Sequence, residues 1–220
     1  MSNVAVVTAI ISGRDILKAQ PRLSDAAFIA FLDGEANCPG WMARPASAVS
    51  PDPVRNARNH KVLLHRWLPE VEYSLWIDGN VTLTCAGPLE TLAKEYLRDT
   101  DVAVFRHRVR SCIYEEASAC IAKKKDDAGL ITRQVERYRA EGYPSLNGLA
   151  ETAVLFRRHT QVVASFCELW WNEIAKGSRR DQLSFDYVAW KTGLRYSRFP
   201  GTLADNPLCW RGHHDGPSRD

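Results

Sequence analysis

The sequence lacks paired cysteines, and it lacks any apolar run long enough to cross a membrane. Its six cysteines are scattered without a CxxC pair, the tight spacing that structural zinc sites use, so we expect free thiols in a reducing compartment. The N-terminal apolar run covers about nine residues, with no basic segment before it and no small-residue cleavage site after it. We therefore expect a cytoplasmic protein without a transmembrane segment, whose basic residues would still permit peripheral contact with a membrane surface.

An excess of charge of either sign is also absent. Lysine and arginine number 29 against 26 aspartate and glutamate residues, and the net charge of +3 is too small to indicate a nucleic-acid-binding protein. The chain of 220 residues contains no internal repeat or low-complexity tract and is 45% apolar. This length and composition predict one soluble domain over residues 1–220, with a core that needs no disulfide bonds.

What the sequence does contain is an alternation of strand-like and helix-like segments. Short buried runs rich in β-branched and aromatic residues predict strands, and a 3.6-residue periodicity predicts the helices between them. The predicted strands cover residues 4–11, 27–32, 73–77, 101–105 and 152–156. The predicted helices cover residues 54–68, a segment opened by Pro88, and residues 114–125, 128–141, 160–176 and 178–192. Residues 35–53 and the tail from about residue 195 are expected to be irregular.

This alternation favours an α/β fold with a mostly parallel central sheet flanked by helices. Ligands of such sheets bind beyond the carboxyl ends of the strands. We therefore expect the chemistry of the protein to lie just after Ile11, Leu32, Ile77, Phe105 and Phe156.

The most informative of these points is Asp78-Gly79-Asn80, which follows the predicted strand YSLWI. Asp78 offers a carboxylate and Asn80 a carbonyl oxygen, while Gly79 would let the backbone turn so that both side chains face one divalent cation. Mg²⁺ or Mn²⁺ bound there would bridge to the phosphates of a substrate. The alternative is the turn of a β-hairpin, which an Asp-Gly pair also favours.

A basic helix face precedes this turn. Arg55, Arg58, Lys61 and His65 recur at helical spacing and could neutralise a diphosphate, although such a face is also typical of a solvated helix surface. A basic face followed at once by a metal-like turn is stronger evidence than either feature alone.

The segment GSRRDQLSFDY adds a possible catalytic pair, Asp181 and Gln182. Asp181 would act as a general base or as a charge stabiliser at an oxocarbenium-like centre, with phosphate contacts from Arg179 and Arg180. The alternative is that Asp181 caps the following helix, because Ser178 and Asp181 have the spacing of a capping box.

Polar residues also follow the first two predicted strands and occur near the end of the chain. Asp15 and Asp33 could accept hydrogen bonds from a ribose or a base, or could simply form turns. Glu151 could contact an acceptor hydroxyl or merely begin a strand. The paired residues His213 and His214, in a glycine-flanked loop, could close over a metal ion or a phosphate.

The order of these motifs resembles a known family. The segments TAIISGRD, FLDG…GW, RNARNHKVLLHRWLPEVEYSLWIDGN, FRHRVRSCIYEEA and SRRDQLSFDYVAWK occur in sequence over about residues 4–214. Together they resemble a glycosyltransferase-like family formerly classed as a domain of unknown function, with plant members tied to wall mucilage and bacterial members near polysaccharide genes. That family is similar in plan to GT-A glycosyltransferases, which are single α/β domains that use a nucleotide-sugar donor and usually Mn²⁺ or Mg²⁺.

The likeness of this plan to the glycogenin-like transferases assigns expected roles to residues. It implies a metal site at Asp78, Asn80 and His213 or His214, and catalytic roles for Asp181 and Gln182. Beside these, His107 and Glu151 are the candidate acceptor contacts. The candidate donor contacts are Thr8, Ala9, Asp15, Asp33, Arg55, Arg58, Lys61, His65, Asp78 and Gly79. Asn80 stands where the GT-A motif usually has Asp, and a neutral amide binds a cation more weakly, so neutralisation of the diphosphate by the basic helix is the alternative.

These observations predict a glycosyltransferase that moves a sugar from a nucleoside-diphosphate donor, with uridine as the base that the resemblance implies, to a glycan hydroxyl. Two other classes are consistent with parts of the sequence. A metal-dependent nucleotide phosphohydrolase would require more carboxylates near Asp78 than the sequence supplies. A nucleotide- or glycan-binding module without turnover is consistent with Asn80.

Overall fold

A seven-stranded sheet forms the centre of the protein. The computed structural model describes residues 3–21, 23, 25–35, 38–85 and 87–214. The strands are β1 (Val4–Ile10), β2 (Ala26–Leu32), β3 (Met42–Pro45), β4 (Tyr73–Ile77), β5 (Val81–Leu83), β6 (Val102–Arg106), β7 (Ala150–Arg158), β8 (Ser197–Thr202) and β9 (Cys209–Arg211). The helices are α1 (Pro53–Val62), α2 (Leu64–Trp67), α3 (Leu89–Tyr96), α4 (Ile113–Ala122), α5 (Ala128–Ala140), α6 (Gln161–Lys176) and α7 (Gln182–Thr192).

The strand order in the central sheet is β3-β2-β1-β4-β7-β6-β8. All neighbouring strands run parallel except at β7, which is antiparallel to both β4 and β6. The predicted α/β class with a mostly parallel sheet flanked by helices is therefore confirmed. The expectation of chemistry after Phe156 is wrong, because the reversal of β7 brings its first residues, not its last, to the carboxyl edge of β4.

Burial on both faces explains why the central strands are continuous apolar runs. Along β4, Trp76 packs with α1, α2 and α4 to α7 on one face, whereas Leu75 and Ile77 pack with α3, β5 and β9 on the other. Side chains that alternate between two cores require apolar residues at successive positions. The sheet is therefore held rigidly between two layers, and its carboxyl edge is a fixed platform.

Several predicted boundaries differ from the observed ones. The helix predicted over residues 54–68 breaks at Leu63, and the segment predicted as irregular after residue 35 contains the edge strand β3. The tail from residue 195 is not irregular, because β8 adds to the sheet beside β6 and β9 pairs with β5. Proline and glycine within SRFPGT hide the strand from a pattern search, and the edge position beside β6 tolerates them.

The six cysteines have free thiols. Of the helices that the structure describes, none combines the length with the apolar composition that crossing a bilayer would require.

Candidate active site

A cleft of about 540 Å³ lies at the carboxyl edge of the sheet, where the chain was expected to carry its chemistry. The end of β1 and the loop that follows it form one wall, and α1 forms another. The floor comprises the turn after β4, the first residues of β7 and the start of α7. The lining residues include the charged and polar groups of the site and two small residues beside them: Ala9, Arg14, Asp15, Arg58, Lys61, Asp78, Gly79, Glu151, Thr152, Asp181 and Gln182.

Four charged side chains form a compact cluster on the floor, and we call Arg58, Lys61, Asp78 and Asp181 the floor cluster. The Lys61 Nζ lies 2.6 Å from Asp181 Oδ2 and 3.5 Å from Asp78 Oδ1. The Arg58 Nε lies 3.0 Å from Asp181 Oδ1, and its Nη1 lies 3.9 Å from Asp78 Oδ1. The spacing of three residues places Arg58 and Lys61 on one helix face, so each cation can reach both carboxylates.

Burial of the floor cluster makes its pairing obligatory. Only 1% of the Lys61 side chain and 3% of the Asp181 side chain are exposed, and an unpaired charge in that position would be very costly. Burial alone would raise the pKa of Asp181, but the charges of Arg58 and Lys61 hold it well below its usual range. The same two cations lower the pKa of Asp78 against the opposing effect of burial. Both carboxylates are therefore ionised at neutral pH.

Neutral groups complete the hydrogen bonding of the floor cluster. Thr152 Oγ1 donates to Asp181 Oδ2 at 2.8 Å, and the indole N–H of Trp76 donates to Asp78 Oδ1 at 2.9 Å. The Asp181 side chain makes no capping hydrogen bond to α7, although Asp181 occupies the N-cap position. The capping alternative for Asp181 is therefore wrong, because its carboxylate is used by the cations of α1.

Only two of the four residues in the predicted basic face reach the cleft floor. The Arg55 guanidinium donates to the carbonyls of Ile174 and, at 2.8 Å, Gly177, which are the free carbonyls at the end of α6. The His65 Nε2 lies 2.9 Å from Glu168 on α6. Neither residue is among those that line the cleft. Arg55 and His65 thus attach α1 and α2 to α6, and only Arg58 and Lys61 reach the floor.

The turn after β4 is not a hairpin. Strand β4 pairs with β1 and β7, whereas β5 pairs with β9 in a separate sheet. Gly79 is required for a close approach: a Cβ atom at this position would lie 2.9 Å from the Cβ of Asp15. The hairpin alternative is therefore wrong, and Gly79 makes room for the loop that follows β1.

The C-terminal segment closes against the same turn. Asn80 is buried, its Nδ2 donates to the Gly212 carbonyl at 3.0 Å, and the Gly212 N–H donates to the Asn80 carbonyl at 2.8 Å. His214 Nδ1 lies 2.8 Å from Asp15 Oδ1, and His214 lines the cleft, whereas His213 is not among the lining residues. The structure thus brings His214 and Asp15 to the cleft beside Gly79.

Two of the remaining donor candidates, Thr8 and Asp33, are not among the residues that line the cleft. Thr8 is buried with its hydroxyl unpartnered among the described residues, and it is Ala9 that lines the cleft. Asp33 accepts the backbone N–H of Ser12 at 2.7 Å. Ser12 has a φ of 58°, an uncommon left-handed conformation for this residue type. Asp33 therefore holds the loop after β1 in shape.

Sequence reasoning missed much of the positive charge in the cleft. Nine lysine and arginine residues line it against four aspartate and glutamate residues. The segment Lys123–Lys125 was predicted to continue a solvated helix, but α4 ends at Ala122 and Lys124 has a φ of 47°, so the chain turns into the cleft. The only available signal was the run of three lysines before Asp126. The missed cations are Arg14, Lys123, Lys124, Lys125 and Arg211, whereas Arg179 and Arg180 were expected.

A second pocket of about 250 Å³ adjoins the cleft and shares Glu151 and Gln182 with it. His107 Nδ1 accepts the backbone N–H groups of Val109 and Arg110, at 3.2 and 2.9 Å, which leaves its Nε2 4.0 Å from Glu151 Oε2. Burial lowers the pKa of His107. Burial also raises the pKa of Glu151, although the charge of Arg211 lowers it. The predicted acceptor residues thus lie together at the junction of the two spaces.

The residues at the turn after β4 do not fit a divalent cation. Asp78 Oδ1 already faces an indole N–H and two cationic groups, and the Asn80 side chain is absent from the cleft lining. The Asn80 Oδ1 is buried without a hydrogen-bond partner, which leaves one neutral oxygen there. Within the part of the chain that the structure describes, no three His, Cys, Asp or Glu side chains converge as a metal site. The role of Mn²⁺ or Mg²⁺ stays a prediction.

Fold and cleft together define an α/β domain with a cationic cleft at the carboxyl edge of its sheet. The family described as "TOD1/MUCI70, glycosyltransferase-like domain" matches residues 47–200, and the chain belongs to this family. Membership confirms the resemblance that the sequence motifs carry.

Two curated relatives from Arabidopsis thaliana are similar to the chain. A probable hexosyltransferase, MUCI70, is 35% identical over 74% of this chain and 30% of its own length. The alkaline ceramidase TOD1 is 28% identical over 62% of this chain and 32% of its own length. The chain therefore spans about a third of the length of each of these relatives.

Two solved glycosyltransferase structures are similar to this protein in chain path. One is involved in glycosylation of the major capsid of PBCV-1 and has a TM-score of 0.49 at 10% identity, covering 89% of this chain and 80% of that chain. Mouse xyloside xylosyltransferase 1 has a TM-score of 0.45 at 9% identity, covering 86% of this chain and 81% of that chain.

Proposed function

We propose that the protein is a glycosyltransferase that moves a hexose-like sugar from a nucleoside-diphosphate sugar, preferably a UDP-sugar, to a hydroxyl of a glycan in polysaccharide biosynthesis. The observation that carries this proposal is the floor cluster, in which buried Lys61 and half-buried Arg58 lie between two ionised carboxylates at the carboxyl edge of the sheet. Cations fixed in such a place stabilise negative charge on a departing diphosphate. Family membership supports the same class of reaction.

The proposed reaction breaks the bond between the anomeric carbon of the sugar and the β-phosphate oxygen, which leaves with the electron pair as nucleoside diphosphate. A new bond forms between that carbon and the acceptor oxygen, and the acceptor hydroxyl loses its proton. Glu151 is the proposed proton acceptor, because it lies at the junction of cleft and second pocket and burial raises its pKa. Asp181 has the opposite property, since a strongly lowered pKa suits a charge stabiliser and not a base.

The acceptor glycan is proposed to occupy the second pocket. His107, Glu151 and Gln182 line it, and Gln182 Nε2 donates to the Ala150 carbonyl at 3.1 Å, which holds its amide at the start of β7. Such an arrangement offers fixed polar groups to sugar hydroxyls. The donor would then enter from the cleft and the acceptor from the pocket, with the sugar between them.

The names of the two curated relatives indicate different chemistries. Cleavage of a lipid amide, the activity that the name ceramidase denotes, would require an apolar wall for acyl chains. The cleft described above carries nine cationic residues instead, and this charge favours a phosphate-bearing substrate. The sugar-transfer reaction is therefore the better supported of the two.

The test is incubation of the protein with a panel of nucleotide sugars and glycan acceptors, followed by detection of nucleoside diphosphate and of sugar-extended acceptor. Transfer, or release of free sugar when acceptor is absent, is the expected result. Release of phosphate or nucleoside monophosphate would favour the phosphohydrolase instead. Tight binding without release would favour the binding module. The Asp181→Asn variant provides the negative control, because it removes the charge that holds both cations.

A further inference from the structure

Asp78 in this cleft already has cationic partners. Its Oδ1 lies 3.5 Å from Lys61 Nζ and 3.9 Å from Arg58 Nη1, and it accepts the Trp76 indole N–H at 2.9 Å. A divalent cation needs several oxygen ligands at short distance, and it would meet two fixed positive charges here. The ammonium group of Lys61 and the guanidinium group of Arg58 therefore supply the positive charge that a metal ion would supply beside this carboxylate.

Asn80 is held in a structural contact. Its backbone carbonyl and its side-chain Nδ2 both bond to Gly212, which follows the β9 strand that pairs with β5. The contact closes the C-terminal segment over the turn that carries Asp78. Asn80 therefore has a defined role that requires no metal ion.

The cleft also holds positive charge beyond what its carboxylates neutralise. Asp78 and Asp181 pair with α1, Asp15 contacts His214, and Glu151 lies 3.7 Å from Arg211. Arg179 is used by Asp52 and Asp126 at the rim. Five lining cations form no ion pair with any other residue that the structure describes, and these are Arg14, Lys123, Lys124, Lys125 and Arg180, of which Arg180 donates to the Gln182 side chain at 3.3 Å. Burial and the repulsion from Arg58 lower the pKa of Arg14, as expected in a strongly positive environment.

We infer that this domain binds the diphosphate of its donor through side-chain cations alone, with Arg58 and Lys61 at the floor and Arg14 and the Lys123–Lys125 turn at the rim, and that it requires no divalent metal ion. This inference rests on the proposed function and names how its donor site works. Several cations arriving from three different elements, the β1 loop, α1 and the α4–α5 turn, can surround the negative oxygens that a bridging metal would otherwise coordinate.

Isothermal titration calorimetry of the full chain tests this inference with UDP, GDP, ADP, CDP and dTDP, first in EDTA and then in Mn²⁺. We expect at least one of these diphosphates to bind in EDTA, with a Kd that Mn²⁺ changes by less than about threefold. The Arg14→Ala and Lys124→Ala variants should each weaken binding in EDTA by roughly threefold to tenfold, the loss of one charge-assisted contact. Lys94→Ala, which removes an exposed lysine of α3 outside the cleft, should bind like the parent protein.

The outcomes separate this inference from the proposed function. Binding that appears only with Mn²⁺ would overturn the metal-free site and leave the transferase proposal intact. No binding of any diphosphate in either condition would overturn the transferase proposal itself. Lys61→Ala could fail to fold, so the rim variants carry the test.

An Asn80→Ala variant adds a second readout: it should lower the melting temperature and leave the response to Mn²⁺ unchanged. A Mn²⁺-dependent gain in binding by the parent protein that disappears in Asn80→Ala would contradict the inference.

Discussion

Two charge networks in this protein have the same composition but differ in their exposure to solvent. The floor cluster contains two cations and two carboxylates. A surface network on α5, the C-cap of α5, α6 and α7 has the same make-up, and its members are Arg137, Glu141, Glu173 and Lys191. In the surface network 45% of the Arg137 side chain and 52% of the Lys191 side chain are exposed, against 1% of Lys61 in the cleft. Solvent screens the surface network, whereas the floor cluster must be neutralised by its own members.

The difference in burial separates a network that a protein surface tolerates easily from one that costs folding free energy. The surface network lies over the stacked rings of Tyr138 and Tyr187 and could be replaced without exposing a buried charge. Loss of a member of the floor cluster leaves a buried charge with less compensation, since Asp181 without Lys61 would keep only Arg58 of the two cations in the cluster. Such an arrangement is costly to build for stability alone, and it is useful where a negatively charged ligand must be met by cations already in position.

Removal of one cation from each network should give the largest difference in stability between the two networks. Lys61→Ala leaves Asp181 buried with one cation fewer, and we expect it to lower the free energy of unfolding by about 3–5 kcal/mol. Lys191→Ala, the matched change in the surface network, should cost no more than about 1 kcal/mol. Urea denaturation of both variants measures the difference. Equal losses would show that the floor cluster is no more dependent on pairing than the surface.

Removal of one carboxylate from each network should separate function from stability. Asp181→Asn should lower sugar transfer by about 100-fold or more, because Lys61 and Arg58 lose the group that positions them for charge stabilisation. Glu141→Gln, the counterpart at the C-cap of α5, should leave transfer within about twofold of the parent rate, since Glu141 lies outside the cleft. Initial rates at saturating donor measure both. A parent-like rate for Asp181→Asn would remove Asp181 from the reaction.

A steric change at the turn should have a smaller effect. Gly79→Ala places a Cβ atom 2.9 Å from the Cβ of Asp15, so the β1 loop must shift, and we expect a loss of about 1–3 kcal/mol in unfolding free energy. Gly34→Ala is the control, because a Cβ atom there would meet nothing within 4 Å and its φ is not in the left-handed range. Thermal and urea unfolding compare the two. A neutral Gly79→Ala would mean that the loop adjusts without cost.

The smallest expected effect is on stability at acid pH, where the two networks should lose different amounts of stabilisation as the pH falls. The folded-state pKa of Asp181 lies below its ordinary value of 3.8, so the ionised carboxylate stabilises the protein above that pH and this contribution is lost as the pH falls through and below it. Glu141 has its pKa lowered from 4.5 to about 2 by contacts with Lys191 and Tyr187 and should lose its contribution between those values, weakened by solvent screening.

Denaturation between pH 5 and pH 2 measures this difference. The slope of stability against pH should flatten clearly in Asp181→Asn and only slightly in Glu141→Gln. A larger change in the Glu141 variant would reverse the order that burial predicts.

The fold was largely predictable because its signals are local. Apolar runs at β1, β2, β4 and β6 are long enough and buried enough to be recognised without knowledge of their neighbours. The orientation of β7 was not predictable, since an antiparallel strand and a parallel strand have the same apolar pattern and differ only in partner and direction. Strand β8 was missed because edge pairing, not its own SRFPGT sequence, makes it a strand.

The site was predictable only in part, for the same reason. Asp78, Asp181, Arg58 and Lys61 could be nominated from spacing, but Arg55 and His65 share that spacing and bind α6 instead. The Lys123–Lys125 turn had no local signal beyond its charge. The sequence alone therefore determined an α/β domain, its strand ends and the residue types available for chemistry, because periodicity and composition act over short range. Only the tertiary structure decided which charges meet, because a buried ion pair depends on helices and strands that are distant in the chain.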